Sequence, residues 1–299
     1  MNDDHVRSWR DSAPDFALPE LDAPSADERE DLRRPASPNP KSVRKLEPRF
    51  VEKPWGRTRL PPPFANAAGK RIGEIWLGND GSLPLLAKYL FTSENLSIQV
   101  HPDDQQAKLR GFGRGKSECW LILDAEPEAV IGLGLRREVA EDELRAAALD
   151  GSIEKLIDWR PVKAGDFFYV SAGTIHAIGG GISLLEFQQN SGATFRLYDY
   201  GRERSLHLDD AVAVANRGPY VEPTDHFEKG DNRILVSGPH FRVVHCHSDC
   251  LRDRRRWILP LEGRVTSAGQ SASPGECMLL EAGDGLETDN ARMLIGAVA

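Results

Sequence analysis

Short apolar segments broken by glycine, proline or asparagine recur along this chain from about residue 46 onward. In the first half they cover residues 72–77, 85–92, 96–101, 118–124 and 129–133. They resume at residues 167–170, 182–188 and 194–198, and then at 233–236, 241–247, 257–261, 278–280 and 292–298. Many short strands separated by turn residues favour a sandwich or barrel over a parallel sheet. The sequence therefore predicts an all-β fold.

A helical period interrupts this pattern in two places. Between residues 139 and 159, helical spacing links Val139, Leu144, Ala147, Ala148, Ile153, Leu156 and Ile157. This spacing predicts one or two short amphipathic helices with Gly151 between them. Residues 208–215 predict another short helix. We therefore expect a β protein with a short helical insertion.

The first 44 residues differ in composition from the rest of the chain. They are rich in Asp, Glu, Arg, Ala and Pro, end in PASPNPKS, and contain little that a core could bury. We predict a flexible N-terminal extension over residues 1–44, with an interaction tail as the open alternative.

Charge and cysteine content restrict the partners and the compartment. A net charge of −8 over 299 residues provides no general basic surface, which disfavours nucleic acid, so an anionic substrate would need a local basic cluster. The four cysteines, Cys119, Cys246, Cys250 and Cys277, form no CxxC pair, and MNDDHVRSWR is too charged for a secretory signal. No apolar run approaches about 20 residues. We expect a cytoplasmic protein without a membrane partner.

Four side chains in separate segments have the chemistry of a metal site. In SIQVHPDD, Gln99 and His101 are two residues apart and would project from the same face of a strand. Glu118 opens another strand, and His176 follows the glycine-bearing turn in GDFFYVSAGTIHAIGGG. Two imidazoles, a carboxylate and an amide oxygen suit a borderline divalent ion such as zinc, with a position left open for substrate. Iron, manganese or cobalt could use the same set, and each histidine alone could be an ordinary core residue.

A rival metal site lies in the last third of the chain. His245 and His247 are again two residues apart, with Asp249 or Cys250 as additional ligands. No Gly-x-x-His turn follows them.

Four motifs, QVHPDD, GKSECW, AGTIHAIG and LLEFQQNSGATFRLYDY, occur in this order between about Lys53 and Asp199. Together they resemble the type I phosphomannose isomerases, zinc-dependent cupin enzymes that interconvert mannose 6-phosphate and fructose 6-phosphate. The resemblance implies two jelly-roll barrels, a catalytic one over residues 45–217 and a degenerate one over residues 218–299. It also implies one zinc ion per chain, a small sugar phosphate as substrate and, we expect, a monomer.

The resemblance assigns roles to further residues. Lys88 is placed near the substrate phosphate, although its odd separation of eleven residues from Gln99 suggests that only pairing of adjacent strands could bring the two together. Ser97, two residues before Gln99, is a candidate hydrogen-bond donor to the substrate phosphate. Trp55 in KPWG either packs on the sugar or belongs to the core.

Three more residues are candidates for catalysis. Lys116, two residues before Glu118, would transfer a proton or stabilise an oxyanion. Glu186 matches a family glutamate that serves as base or orients the substrate. Arg196 in TFRLYDY matches the catalytic arginine, a cation that keeps its charge beside an anionic oxygen.

Departures from the family pattern leave other functions open. Gly192 stands where relatives commonly carry aspartate, Gly115 where one branch has histidine, and Ser171 where the cupin turn usually has proline. A non-catalytic sugar-phosphate sensor and a cupin oxygenase are the alternatives to an isomerase.

Overall fold

Antiparallel strands dominate the computed structural model, which describes residues 43–64, 69–78, 81–222, 224–226 and 232–299. These residues form two compact units. One contains residues 47–222 together with His226, and the other contains residues up to Leu46 and the C-terminal segment from residue 232. Except for Val43 and Arg44, the predicted extension over residues 1–44 lies outside the described residues.

Regular elements are numbered here along the chain. The first strands are β1 (Arg44–Leu46), β2 (Pro48–Arg57), β3 (Ile72–Leu77), β4 (Leu85–Phe91), β5 (Ile98–Val100), β6 (Glu118–Ala125), β7 (Val130–Leu135), β8 (Ile157–Pro161), β9 (Asp166–Val170), β10 (His176–Ile178), β11 (Ile182–Gln189) and β12 (Phe195–Tyr198). The later strands are β13 (Thr224–His226), β14 (Arg233–Ser237), β15 (Phe241–Cys246), β16 (Arg256–Ser267), β17 (Gln270–Ala272), β18 (Cys277–Leu280) and β19 (Glu287–Val298). The helices are α1 (Asp104–Leu109), α2 (Glu141–Asp150), α3 (Ile153–Leu156) and α4 (Leu208–Val214). The prediction of an all-β fold is confirmed.

Two sheets build the unit of residues 47–222. One has the order β12-β5-β10-β7-β8, and the other contains β9-β6-β11-β4-β3-β2 in that order. Their apolar faces meet in one core, where Trp120 and Leu184 of the second sheet pack with Leu133 and Ile178 of the first. Burial of such side chains is the main stabilising term of a sandwich of this kind.

The helices cover the opposite face of the five-stranded sheet. Leu144 of α2 and Val212 of α4 pack in a second core with Val100, Ala177 and Leu197 of the strands. The predicted helices over residues 139–159 and 208–215 are confirmed as α2, α3 and α4, with Gly151 in the left-handed region at φ 81° between the first two. A residue with no Cβ adopts this conformation at little cost.

Three local predictions differ from the structure. Residue 157 lies at the start of β8 rather than in a helix, because residues 157–161 pair with β7. The helix α1 was not predicted, although Asp103 and Gln106 form a reciprocal capping box at its start. Strands β2, β10 and β17 were also missed.

The C-terminal unit contains a separate sheet with the order β1-β18-β16-β19-β15-β14, in which β17 pairs with β16. We predicted that the first domain begins at residue 45. Instead, Arg44–Leu46 pairs with β18, because Val43 is buried in the core of the C-terminal unit with Met278 and Ile295. No helix in the described part of the chain has the length and apolar character needed to cross a bilayer.

Candidate metal centre

Strand register brings three candidate site residues into one row. Arg196 of β12 is the partner of Gln99 in β5, and Gln99 is the partner of His176 in β10. Partner residues on adjacent antiparallel strands project from the same face of a sheet. Arg196, Gln99 and His176 therefore face the same side, although Gln99 and Arg196 are 97 positions apart in the sequence.

The facing sheet contributes a second row. Glu186 of β11 pairs with Lys88 in β4, and Gln188, two residues further, pairs with Glu118 in β6. These side chains share a face because they alternate along one strand and are partners across its neighbours. We expected that only pairing of adjacent strands could bring Lys88 and Gln99 together, but β4 and β5 lie in different sheets and both residues line the same cavity.

In the described ranges, one group of three histidine, cysteine or acidic side chains is close enough together to hold a metal ion. It consists of His101, Glu118 and His176. One ligand atom from each side chain lies within 4.8 Å of the others, and all three side chains are buried. Nε2 of His101 is 3.4 Å from Oε2 of Glu118, and Nε2 of His176 is 3.6 Å from Oε1. The carboxylate thus lies between the two imidazoles.

Hydrogen bonds orient both imidazoles toward this carboxylate. Nδ1 of His101 lies 3.0 Å from the carbonyl oxygen of Ala193, and Nδ1 of His176 lies 2.9 Å from that of Thr174. A carbonyl only accepts, so each Nδ1 carries the proton and each Nε2 keeps its lone pair for a ligand. This second hydrogen bond is the usual support of a metal-binding histidine.

The charge states fit a cation site. Burial, with Lys116 nearby, lowers the pKa of His101 to about 3, and burial also lowers the pKa of His176. For Glu118, burial alone would raise the pKa, but the charge of Lys116 holds it well below its usual value. Near neutral pH the cluster therefore consists of two neutral imidazoles and one carboxylate, the forms that bind a divalent metal.

Two amides adjoin the cluster. The amide of Gln99 lies 3.2 Å from Nε2 of His176, and its Oε1 accepts from Ser97 at 3.3 Å. Oε1 of Gln188, the strand partner of Glu118, is buried without a hydrogen-bond partner among the described residues. An unpaired buried oxygen beside this donor set fits a site that takes up a further polar group. The residues present therefore fit a divalent metal.

Beside the cluster lies a cavity of about 350 Å³. Its lining includes all the predicted substrate-binding and catalytic residues, namely Trp55, Lys88, Ser97, Lys116, Glu186 and Arg196, together with Gln99. Lys53 and Arg204 add two more cations to the wall. Five cations thus face two lining carboxylates, Glu74 and Glu186, so a chain with a net charge of −8 has a cavity with a net positive lining, as an anionic substrate requires.

Lysine and glutamate side chains alternate from the cluster into this cavity. Nζ of Lys116 donates to Nε2 of His101 at 2.8 Å and to Oε2 of Glu118, and it lies 3.9 Å from Oε1 of Glu186. Lys88 donates to the same Oε1 of Glu186 at 3.1 Å. Burial and the charge of Glu118 raise the pKa of Glu186, while the nearby carboxylates raise the pKa of Lys88 against the effect of burial.

Glu74 and Trp76 line the cavity but were missed in the sequence, as were Lys53 and Arg204. Glu74 accepts a hydrogen bond from Nε1 of Trp76 and pairs with Lys53 at 3.1 Å. Nζ of Lys88 lies 5.3 Å from the centre of the Trp76 ring. Glu74 and Trp76 are two residues apart in GEIWLG, next to the strand of Lys88, and this alternation was the available signal.

The structure describes the surroundings of Trp55, whose role the sequence left open, and of Gly192 and Gly115, where the sequence departs from the family pattern. Trp55 is 2% exposed and packs in the core, while its side chain also lines the cavity. A Cβ on Gly192 would meet no atom within 4 Å. A Cβ on Gly115 would lie 2.5 Å from the backbone of Asp103, so this loop has no space for a side chain at residue 115.

The rival site at His245 and His247 gains no support. Nδ1 of His247 lies 3.2 Å from the carbonyl oxygen of Ala291, and Asp249 forms a bidentate ion pair with Arg256. No metal-type group that includes them is found in the described residues.

Comparison with known proteins defines the family. A family model described as the catalytic domain of type I phosphomannose isomerase matches residues 64–134. Mannose-6-phosphate isomerase ManA of Bacillus subtilis is 45% identical over 223 residues, which cover 68% of this chain and 70% of the relative. This chain belongs to the mannose-6-phosphate isomerase family. The predicted resemblance is thereby confirmed, and with it the class of aldose–ketose isomerases.

Further members of the mannose-6-phosphate isomerase family are similar to this chain in sequence or in fold. The probable mannose-6-phosphate isomerase GmuF of Bacillus subtilis is 36% identical over 236 residues, or 64% of this chain and 74% of the relative. Among solved structures, a mannose 6-phosphate isomerase from Bacillus subtilis has a TM-score of 0.72 at 28% identity, covering 86% of this chain and 99% of that one. A zinc-bound mannose 6-phosphate isomerase has a TM-score of 0.61 at 14% identity, with coverage of 86% and 99%, and supports the fold.

Proposed function

We propose that this protein interconverts mannose 6-phosphate and fructose 6-phosphate by moving a proton between C1 and C2, with zinc as cofactor. The observation that carries the proposal is the buried cluster of His101, Glu118 and His176 beside a cavity lined with cations. Relatives in the family are named for this activity. A metal cluster alone would suit many reactions, whereas the cationic wall favours a substrate with a phosphate.

His101, Glu118 and His176 would hold the ion, one per chain, with Gln99 as a further ligand through its amide oxygen. A structural relative is described as zinc-bound, and neutral imidazoles with one carboxylate suit zinc. When bound, the ion acts as a Lewis acid for the negative charge that develops on the sugar oxygens.

We assign the proton transfer at carbon to Glu186. This residue is 3% exposed and lines the cavity, and the raised pKa of its carboxyl group strengthens it as a base near neutral pH. Lys116 lies between Glu186 and the cluster, where its ammonium would stabilise the oxygen of an enediol-like intermediate.

Arg196 would bind anionic oxygen from the opposite wall. Its Nε donates to the carbonyl oxygen of Ser205 at 3.0 Å, which fixes the guanidinium while both Nη groups have no protein partner in the described ranges. A planar guanidinium fixed in this way binds an oxyanion with two parallel N–H groups.

Lys88 and Ser97 are the proposed phosphate ligands, and Trp55 the proposed wall for the sugar. Lys88 already donates to Glu186, but an ammonium has three N–H donors and can serve both groups. Phosphate binding away from the reacting carbons would help to orient C1 and C2 at Glu186.

A coupled assay of fructose 6-phosphate formation, with and without a chelator, tests the proposal. Isomerisation that stops with chelator and returns with zinc is expected. Binding of mannose 6-phosphate without turnover would instead indicate a sugar-phosphate sensor, which the glycine at residue 192 favours. Oxygen uptake would indicate an oxygenase and overturn the proposal.

A further inference from the structure

A second cavity, of about 330 Å³, lies in the unit of residues 47–222 and shares no lining residue with the one beside the metal cluster. Its wall consists of Gly56 and of the side chains Arg57, Thr58, Arg59, Arg71, Ser93 and Glu126. We name it the arginine cleft. Three guanidinium groups face a single lining carboxylate, so the cleft is electropositive in a chain with a net charge of −8.

Arg57 is fixed by neutral partners. Its Nε donates to the carbonyl oxygen of Thr92 at 2.9 Å, and its Nη1 donates to the hydroxyl of Ser183 at 3.3 Å. Its Nη2 is buried and has no hydrogen-bond partner among the described residues. Leaving a buried charged donor unpaired is costly, so this guanidinium is a rigid cation that lacks an acceptor.

The other two arginines differ from each other. Arg71 donates to the carbonyl oxygen of Pro54 at 2.7 Å and pairs with Glu94 at 3.0 Å, which neutralises most of its charge. Arg59 is exposed and makes no ion pair or hydrogen bond with any described part of the chain. Arg57 and Arg59 therefore form no ion pair in the described ranges, and Glu126 is the one acidic residue in the wall, so the lining keeps a net positive charge.

The chemistry of the wall selects the ligand. Guanidinium groups bind phosphate oxygens in a bidentate manner, and the hydroxyl of Thr58 can donate a further hydrogen bond. The Ser93 hydroxyl already donates to the carbonyl oxygen of Gly56 at 2.9 Å. With Arg71 paired to Glu94, the unpaired charges of the wall are two guanidinium groups and the carboxylate of Glu126, a net positive lining that suits an anionic phosphate group, and the volume suits a small molecule.

We propose that the arginine cleft binds a small phosphate-bearing molecule, independently of the substrate cavity. An oxygen of that phosphate would also be an acceptor for the unpaired donor of Arg57. The shared chemistry is a phosphate dianion, either free or esterified to a small metabolite.

Equilibrium dialysis with labelled inorganic phosphate at low ionic strength tests this proposal on the full, zinc-loaded chain. We compare the wild type with Arg59→Gln and with Arg145→Gln, an equal loss of charge at a partly exposed arginine that pairs with Asp209 and lines neither cavity. A third variant, Ser97→Ala, weakens only the substrate cavity. Arg59→Gln should weaken one class of phosphate site about tenfold or more, since charge-assisted hydrogen bonds are lost, and Arg145→Gln should leave both classes within about twofold.

The isomerase activity of Arg59→Gln should stay within about twofold of wild type, because the residue does not line the substrate cavity. A binding curve that Arg59→Gln leaves unchanged would overturn the proposal, as would phosphate binding that responds to Ser97→Ala alone. Repeating the titration with methyl phosphate distinguishes the source of the ligand. Tighter binding of the ester than of inorganic phosphate indicates a metabolite, and equal binding indicates the phosphate group itself.

Discussion

The ammonium of Lys116 lies 2.8 Å from Nε2 of His101 and also donates to Glu118. Both acceptor atoms belong to the cluster that would bind the metal. A metal ion would use the same lone pairs, so its binding must release Lys116 from His101. The nearest other acceptor among the described contacts of Lys116 is Glu186, at 3.9 Å, on the side of the substrate cavity.

Lys116→Met should therefore separate metal binding from catalysis. Removal of the competing ammonium should leave the zinc content at the wild-type level or above it. Turnover should fall by about 100-fold or more, as expected for a lost oxyanion donor. Elemental analysis and the coupled assay measure the two effects. Loss of zinc in the variant would show that Lys116 supports the site instead.

Arg196→Ala should reduce turnover by about 100-fold or more at unchanged zinc content, because the side chain contacts no member of the cluster. Arg145→Ala, at a partly exposed residue outside the cavity, is the control. Wild-type activity in Arg196→Ala would remove this arginine from the catalytic residues.

Glu74→Gln should weaken the cavity wall. The buried carboxylate accepts from Trp76 and pairs with Lys53, so its loss should reduce the free energy of unfolding by about 1–3 kcal/mol. Urea unfolding measures this change. The Michaelis constant should also rise, because Trp76 and Lys88 lose a fixed neighbour. An unchanged midpoint and slope would contradict this account.

The same carboxylate predicts a pH effect. Burial alone would raise the pKa of Glu74, but Lys88 and Lys53 lower it below its usual value of 4.5. A carboxyl group whose pKa is lower in the folded state than in the unfolded state stabilises the protein at pH values above the unfolded-state pKa. This contribution is lost as the pH falls through the folded-state pKa. The stability difference between wild type and Glu74→Gln should thus be constant near neutral pH and shrink below about 4.5. A stability difference that grows as the pH falls would contradict a lowered pKa of Glu74.

Two glycines provide a matched steric test. A Cβ at residue 115 would lie 2.5 Å from the backbone of Asp103, whereas one at residue 192 would meet no atom within 4 Å. Gly115→Ala should therefore cost about 1–3 kcal/mol of stability, the range for overpacking, and Gly192→Ala almost nothing. Thermal unfolding of both variants measures the contrast, and equal melting temperatures would refute the steric argument.

Local patterns in the sequence were sufficient for most of the strands and for two pairs of neighbouring site residues. Ser97 contacts Gln99, and Lys116 contacts Glu118, as the spacing of two residues predicts, although Ser97 and Lys116 lie just before β5 and β6. The family likeness supplied the link between these pairs and His176, which no local pattern contains. The same likeness led to Arg196, which lines the cavity as expected.

Contacts between distant strands account for what was missed. Residues 157–161 continue a helical spacing, but pairing with β7 makes them a strand. Lys88 meets Glu186 across a strand pair and faces Gln99 from another sheet, an arrangement that spacing along the chain does not encode. Glu74 belongs to no motif, and only its neighbours Trp76 and Lys53 reveal its place in the cavity wall.

Arg44–Leu46 supplies an outer strand to a sheet whose other strands all come from residues 233–298. Excising the C-terminal segment as an independent fragment would therefore leave β18 with an open edge, a template for association with other chains. A fragment design that fuses residues 43–46 ahead of residue 232 would close that edge. During synthesis, residues 47–276 must be translated before β18, the partner strand of Arg44–Leu46, exists.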